Sequence, residues 1–278
     1  MSIDSKIFDR NYYYNICLGS EEFKKSNGST LNQKVKNMID ELELKQYMRV
    51  LEIGCGRGDT SLYIAKKVNS VVGIDYSKDA IKIASALRTK FSKKIRAKTK
   101  FYRMKANKLI KFGDDEFDFV IFIDTWDHLD NKELEETMSE IKRVLKPKGR
   151  LFIKTCSNKI LLNLTYKYYI YPLNKLITSI DKKIRGVEYE SLLKNPRTKE
   201  AKIQHINEPN YFYLRKIFKE FMFNGKIKSQ TGFLTDDKGI RSKIYNYIVT
   251  LYPVSKFFPL SIFFAGTFSV ILTNKKKV

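Results

Sequence analysis

Glu52 stands two places before Gly54, and Gly54, Gly56 and Gly58 alternate with Cys55 and Arg57. They follow a short apolar run, RVLEI. Glycines at that spacing let the chain turn sharply and let a ligand lie against bare backbone. Asp75 closes a second apolar run, SVVGID, 21 residues after Gly54. A carboxylate there can accept hydrogen bonds from both vicinal hydroxyls of a ribose, so the features together suit a nucleoside. A dinucleotide fingerprint would read GxGxxG, with a pyrophosphate at the helix start. Here the third glycine comes one residue early and Asp59 takes its place. A carboxylate at that point repels a pyrophosphate, and Glu52 likewise suits a cationic ligand.

The elements that must hold these residues alternate in type. RVLEIG reads as a buried parallel strand. SLYIAKKV reads as a helix capped by Asp59 or Thr60. SVVGID is a second strand, followed by a helix that starts at Ser77. KFYRMKA and FDFVIFID are the third and fourth strands. NKELEETMSEIKRVLKPKG is a helix closed by Pro147 and Gly149, and RLFIKTC is a fifth strand. Upstream, LNQKVKNMIDELEL has helical spacing; downstream, EPNYFYLRKIFKEF is a helix and GKIKSQ a strand. The alternation predicts an α/β, doubly wound parallel sheet.

The runs VLEIGCGRGDTS, VVGIDYS, FDFVIFIDTWDHL and RVLKPKGRLFI stand in order over about residues 45–156. Together they resemble class I S-adenosylmethionine-dependent methyltransferases, in particular the ubiquinone-biosynthesis-like group that acts on small molecules. The resemblance implies a seven-stranded, mostly parallel Rossmann-like sheet whose last strand, at 267–273, is antiparallel. It implies S-adenosylmethionine as cofactor. It places Glu52, Gly54, Cys55, Gly56 and Gly58 around the methionine moiety, Asp75 on the ribose and Tyr76 beside the adenine. Asp124 and Thr125 would face the methionine and the acceptor. Such enzymes often carry an Asp after the third strand for the adenine amino group. Here the chain reads Lys105-Ala106-Asn107, where Asn107 can accept that bond or Ala106 takes the position. The expected organisation is a helical cap (1–48), a cofactor-binding core (49–156), a lid insertion (157–204) and a C-terminal completion of the sheet with a second insertion (205–278).

Plainer readings stand beside these. Glu52 is a cofactor contact or a buried structural acid. Tyr76 packs on the adenine or lies on the surface. Trp126, the single tryptophan, reads as a wall of the pocket rather than core. His128 and Asp127 are candidates for acid–base work or are helix-start residues that pack and cap. His205 is a candidate to face the acceptor together with Glu208. Those two are too few to hold a metal, and none is expected. Tyr12, Tyr13 and Tyr14 form a lid over the cofactor or pack on the sheet edge. Cys55 carries no nucleophile signature.

The acceptor is read from charge. Lys and Arg number 53 against 30 Asp and Glu, a formal net charge of +23 in 278 residues. Either the chain meets an anionic partner or an AT-rich genome has biased its composition. Residues 157–204 carry ten basic and four acidic residues among many tyrosines. Such a cover suits an anionic or amphiphilic small-molecule acceptor, lipid-linked or a glycan precursor. RNA is the alternative partner, against which stands IDTWDHL where amino-methylating nucleic-acid enzymes carry an Asn/Asp/Ser-Pro-Pro-aromatic motif. A non-catalytic protein that binds the cofactor or a nucleotide, or an NAD enzyme, is the reading from another class. Cys17, Cys55 and Cys156 lack metal or disulfide spacing, and the N-terminus lacks an apolar leader. A cytoplasmic protein is expected, with peripheral contact to an anionic inner membrane face. The apolar stretch 251–272 is broken by Pro253, Lys256, Pro259 and Gly266. Its end, TFSVILTN, reads as a strand, and KFFPLSIFF as a segment that rests on lipid or caps a pocket.

Overall fold

Apolar runs with polar gaps on neither face must be covered on both sides, and the chain folds accordingly. A computed structural model describes residues 3–156, 158–186, 188, 192–197, 199–231 and 240–276. Among them, eight strand segments join one sheet: β1 (Arg49–Ile53), β2 (Ser70–Asp75), β3 (Thr99–Arg103), β4 (Phe117–Ile123), β5 (Leu145–Cys156), β6 (Phe223–Asn224), β7 (Lys228–Gln230) and β8 (Thr267–Asn274). Their order is β3-β2-β1-β4-β5-β8-β6, with β7 also on β8. β1 to β5 pair in parallel, and β8 runs antiparallel to β5 from Arg150↔Thr273 to Cys156↔Thr267. The seven expected lanes are present, but the sixth is broken in two. β6 pairs with Asn274 and Thr273, and β7 with Ser269 to Thr267. Gly225 lies in the gap, where a Cβ would collide with the carbonyl oxygen of Ile271.

Alternation within the strands feeds two cores. Leu51 and Ile53 of β1 join the cluster that contains Leu134, Met138, Leu214 and Phe218. Those four come from α6 (Asn131–Val144) and α9 (Tyr211–Glu220). Val50, one place before Leu51, joins Ile39, Leu42 and Ile64 on the other face. Ile39 lies in α2 (Gln33–Asp40) and Ile64 in α3 (Asp59–Ile64). A third cluster packs Phe8, Tyr13 and Phe23 against Leu62, Ile83 and Leu87. It seats the N-terminal segment, including α1 (Ser20–Ser26), on α3 and α4 (Lys78–Thr89).

Several boundaries differ from the sequence reading. The helix after β4 stops at Val144, because Leu145 to Gly149 join β5 and Leu145 pairs with Phe117. α3 has no side-chain cap: Gly58 precedes it in the left-handed conformation, φ 77°. Ser77 does cap α4, accepting from the Ala80 amide at 3.2 Å. A short helix, α5 (Lys93–Lys98), intervenes before β3. Trp126 is fully buried against Phe122, Tyr213 and Phe218, so it is core and not a wall of the pocket. The side chain is large enough to bridge β4 and α9, and that outweighs its place in a loop.

The stretch without a sequence assignment is mostly helical. A π-helical run, Leu161–Ile170, continues into α7 (Tyr171–Arg185), and α8 (Lys199–Gln204) follows. α10 (Ile240–Thr250) packs on this run, burying Tyr166, Ile170 and Val249 together. α11 (Leu260–Phe264) leads into β8. Residues 157, 187, 189–191 and 198 of the expected insertion lie outside the described residues. Among the described residues no helix is long and apolar enough to cross a membrane.

Gly58 gives a test of the packing. A Cβ there would stand 2.6 Å from the Phe101 ring and 2.8 Å from Ala84, on a backbone at φ +77°. Gly58→Ala is expected to lower stability by about 1–3 kcal/mol, measured by urea unfolding.

Candidate active site

The turn after β1 is shaped by what presses on it. The amides of Gly54 and Cys55 both donate to the Ile74 carbonyl at 2.9 Å, which ties the turn to the end of β2. Gly54 adopts φ 74°, and a Cβ on it would collide with the Thr125 hydroxyl on the turn after β4. The Gly56 amide donates to Asp75 Oδ2 at 2.9 Å, and the Ser77 amide to Asp75 Oδ1 at 2.8 Å. These turns open on a cleft of about 420 Å³ beyond the carboxyl ends of the strands. Glu52, Gly54, Cys55, Gly56, Asp75, Tyr76, Asn107, Asp124, Thr125 and His128 all line it. Gly58 does not; it packs on Phe101 and Ala84 instead.

The electrostatics of the cleft centre on two buried carboxylates. Glu52 is 4% exposed and accepts from the Ser61 hydroxyl. Burial pushes its carboxyl up to about 8, Ser61 opposes this, and Asp59 and Asp75 add to the rise. Asp75 is 6% exposed. Burial raises it to about 6 against the pull of the Ser77 and Gly56 amides. Among the described residues no lysine or arginine pairs with either. A cationic ligand would relieve both, because desolvated negative charge is costly without a counter-charge. The bare turn and the paired acids therefore fit a nucleoside that carries positive charge.

Arg57, which the sequence reading passed over, fastens the cover of this cleft. It is 6% exposed. Its guanidinium donates to the carbonyls of Tyr13 and Leu18, both at 2.8 Å, and lies 4.7 Å from the Phe23 ring centre. It also pairs with Asp59 at 3.2 Å, which neutralises the carboxylate at the start of α3. Phe8, Tyr12 and Tyr13 thereby line the cleft, while Tyr14 packs on Phe23. Burial, with Asp75 nearby, pushes the Tyr13 hydroxyl far above its usual range. An arginine between two glycines carries no pattern that would announce this role, since its partners are backbone carbonyls some forty residues upstream.

The far end of the cleft is built after β4. Asp124 takes the left-handed conformation, φ 46°, and Lys154 of β5 holds its two oxygens at 2.7 and 2.6 Å. The Thr125 hydroxyl donates to the Ile123 carbonyl at 2.9 Å. Asn107 donates its amide nitrogen to Glu136 at 2.6 Å, which leaves its amide oxygen as an acceptor. Asp127, His128 and His205 meet beside this end although 77 residues separate the histidines in sequence, and of the three only His128 lines the cleft. Glu208 does not join them, because Arg197 binds it with two donors.

Comparison with known proteins agrees with this geometry. Residues 44–209 match the profile of the family described as Methyltransferase domain. The cyclopropane-fatty-acyl-phospholipid synthase of Escherichia coli K12 is 30% identical over 132 residues, 47% of this chain and 32% of that protein. The ubiquinone biosynthesis O-methyltransferase of Pelagibacter ubique is 29% identical over 126 residues, 45% of this chain and 47% of that one. The chain thus spans only a third to a half of these relatives. The crystal structure of YcgJ from Bacillus subtilis superposes with a TM-score of 0.54 at 17% identity, covering 88% of this chain and 98% of that one. A Methanosarcina mazei structure described as a SAM-dependent methyltransferase gives 0.51 at 23%, covering 89% and 99%. At these identities the two structures share the fold.

The raised Glu52 carboxyl fixes a pH dependence. The folded state holds this proton until about pH 8, while the unfolded chain releases it near 4.5. Its contribution to stability is full below pH 4.5 and is lost as pH rises toward 8. Glu52→Gln should flatten the fall in stability between pH 5 and 8, read from urea midpoints of the ligand-free protein.

Proposed function

The chain belongs to the methyltransferase-domain family, whose cofactor is S-adenosylmethionine, and from that premise we propose that it methylates a small anionic or amphiphilic acceptor, lipid-linked or a glycan precursor. The observation that carries the cofactor assignment is the pair of buried carboxylates, Glu52 and Asp75, around a glycine turn.

When bound, S-adenosylmethionine supplies a methyl group on a sulfonium that is already activated for displacement. The protein's own work is to bind, orient and exclude water. Asp75 takes the ribose hydroxyls with the lone pairs its two amide partners leave free, and Glu52 meets the positive charge of the methionine end. Gly54, Cys55 and Gly56 admit that moiety against their backbone, Tyr76 and Asn107 take the adenine, and Asp124 and Thr125 border the transferred methyl. Tyr12 and Tyr13 close the cleft over the ligand. Asp127, His128 and His205 form the acceptor side, at the end of β4 where the nucleophile must arrive in line. Alignment of this kind supplies roughly 7–11 kcal/mol of a displacement barrier.

The choice of acceptor rests on the helices of 157–204 and 240–264. In α7, Leu176, Ile180 and Ile184 are exposed at every fourth position, beside Lys175 and Lys183. In α10, Ile244, Tyr247 and Ile248 are exposed, and Phe257 and Phe258 follow beside Lys256, both about 70% exposed. Apolar side chains interleaved with lysines suit an anionic lipid surface, and a net charge of +23 disfavours a second copy of the chain as the covering partner. A surface of this type would bring the protein to the inner membrane face, where an amphiphilic acceptor resides. The names of the Escherichia coli and Pelagibacter relatives, a fatty-acyl-phospholipid synthase and a ubiquinone-biosynthesis enzyme, agree with such an acceptor.

Two measurements test this reading. Asp75→Ala should weaken S-adenosylmethionine binding by about tenfold or more in calorimetry, the loss expected for charged hydrogen bonds to two hydroxyls; unchanged affinity removes the ribose role. In flotation, the full chain should rise with vesicles containing phosphatidylglycerol, and Phe257→Ser/Phe258→Ser should leave more of it at the bottom. Recovery of the wild type only in the soluble fraction would refute the membrane contact.

A further inference from the structure

Asp127 is fully buried at the turn after β4. Its Oδ2 lies 3.2 Å from His205 Nε2 and accepts the Cys156 thiol at 3.6 Å. Among the described residues its Oδ1 is buried without a hydrogen-bond partner. A buried carboxylate with an idle oxygen is costly unless a cation meets it. Lys154 of β5 is already spent on both oxygens of Asp124, and Arg197 on Glu208.

What stands around Asp127 is a donor set. His128 follows it in the turn, and His205 arrives from the end of α8, its amide bonded to Ala201 O at 2.8 Å. The imidazole rings are 5.4 Å apart, and one donor atom from each of the three residues falls within 4.8 Å of the others. His128 Nδ1 lies 2.8 Å from the Gln204 carbonyl. A carbonyl only accepts, so Nδ1 carries a hydrogen, and Nε2 is the ring atom left to meet an ion. That is the outer hydrogen bond by which metal-binding histidines are usually oriented. The Asn207 amide, donating to the Asp127 carbonyl at 3.1 Å, fixes the turn from the other side.

We propose that Asp127, His128 and His205 hold a divalent first-row transition-metal ion at the acceptor end of the cleft. Two imidazoles and one carboxylate favour zinc, manganese, iron(II) or cobalt(II) over the harder magnesium and calcium, which prefer all-oxygen shells. Three protein ligands leave coordination positions open, as in catalytic rather than structural sites. His128 lines the cleft, so an ion held here would border the cleft's acceptor end. Resting on the reading of this end as the acceptor side, the site favours an acceptor that presents oxygen, a hydroxyl or phosphate group, over a carbon nucleophile. The sequence expectation of no metal considered His205 with Glu208; the fold pairs His205 with Asp127 and His128 instead.

The test uses the untagged full chain, stripped with chelator and titrated with cobalt(II). A visible d–d band should saturate at one equivalent, and millimolar magnesium should not displace it. His205→Ala and Asp127→Asn should each weaken cobalt binding by about tenfold or more. In parallel, calorimetry with S-adenosylmethionine reports folding and the cofactor site, since neither Asp127 nor His205 lines the cofactor cleft. Full cofactor binding with no saturating cobalt band overturns the metal site and leaves the methyltransferase reading intact. So does cobalt binding that both variants leave unchanged. Cobalt binding at one equivalent, lost in both variants, with no cofactor binding by the wild type would uphold the metal site and overturn the methyltransferase reading.

Discussion

Burial of two carboxylates at neighbouring strand ends is the constraint on which the site depends. Glu52 and Asp75 sit on β1 and β2, paired in parallel as adjacent lanes of the sheet. The chain offers them amides and one hydroxyl. Those donors soften the desolvation but do not cancel it, since both acids remain raised. A fold optimised for stability alone would place apolar residues there, as it does at Ile53 and Ile74 beside them. The acids instead hold a local preference for positive charge, and the glycine turn keeps the space in front of them open. A sulfonium nucleoside with an ammonium group answers both needs.

The same constraint explains the N-terminal segment. Desolvation requires a cover, and Phe8, Tyr12 and Tyr13 provide it. A segment of this kind needs an anchor, and Arg57 grips its carbonyls from inside the glycine turn. The turn that borders the cleft thus also fastens the segment that lines it. Gly56 allows this closeness, since a Cβ on it would lie only 3.3 Å from the Tyr13 ring.

Much of this was legible in the sequence, and the failures share a cause. The glycine spacing, Asp75 and the alternation of strands and helices are local patterns, and the sheet follows them, including the antiparallel β8. The divided sixth lane was not legible, because Gly225 matters only once β8 lies against it. Gly58 was assigned to the cofactor with the other glycines, but its neighbours are Phe101 and Ala84, known only after α4 and β3 have packed. Trp126 follows a strand end, the place of a pocket residue, yet its size makes it a bridge to α9. His205 was paired with the nearest acid in sequence, Glu208, whereas the fold delivers Asp127. Long-range partners, and not residue types, were what the sequence withheld.

The preference of this cleft for positive charge rests on the raised carboxyl of Glu52. Titration calorimetry of S-adenosylmethionine at pH 7, repeated in buffers of different ionisation enthalpy, counts protons exchanged on binding. A positive ligand beside a carboxyl raised to about 8 should expel close to one proton per ligand, and Glu52→Gln should abolish that release. Binding with no proton release by the wild type, or no binding at all, would contradict the claim that these buried acids are tuned for a cation.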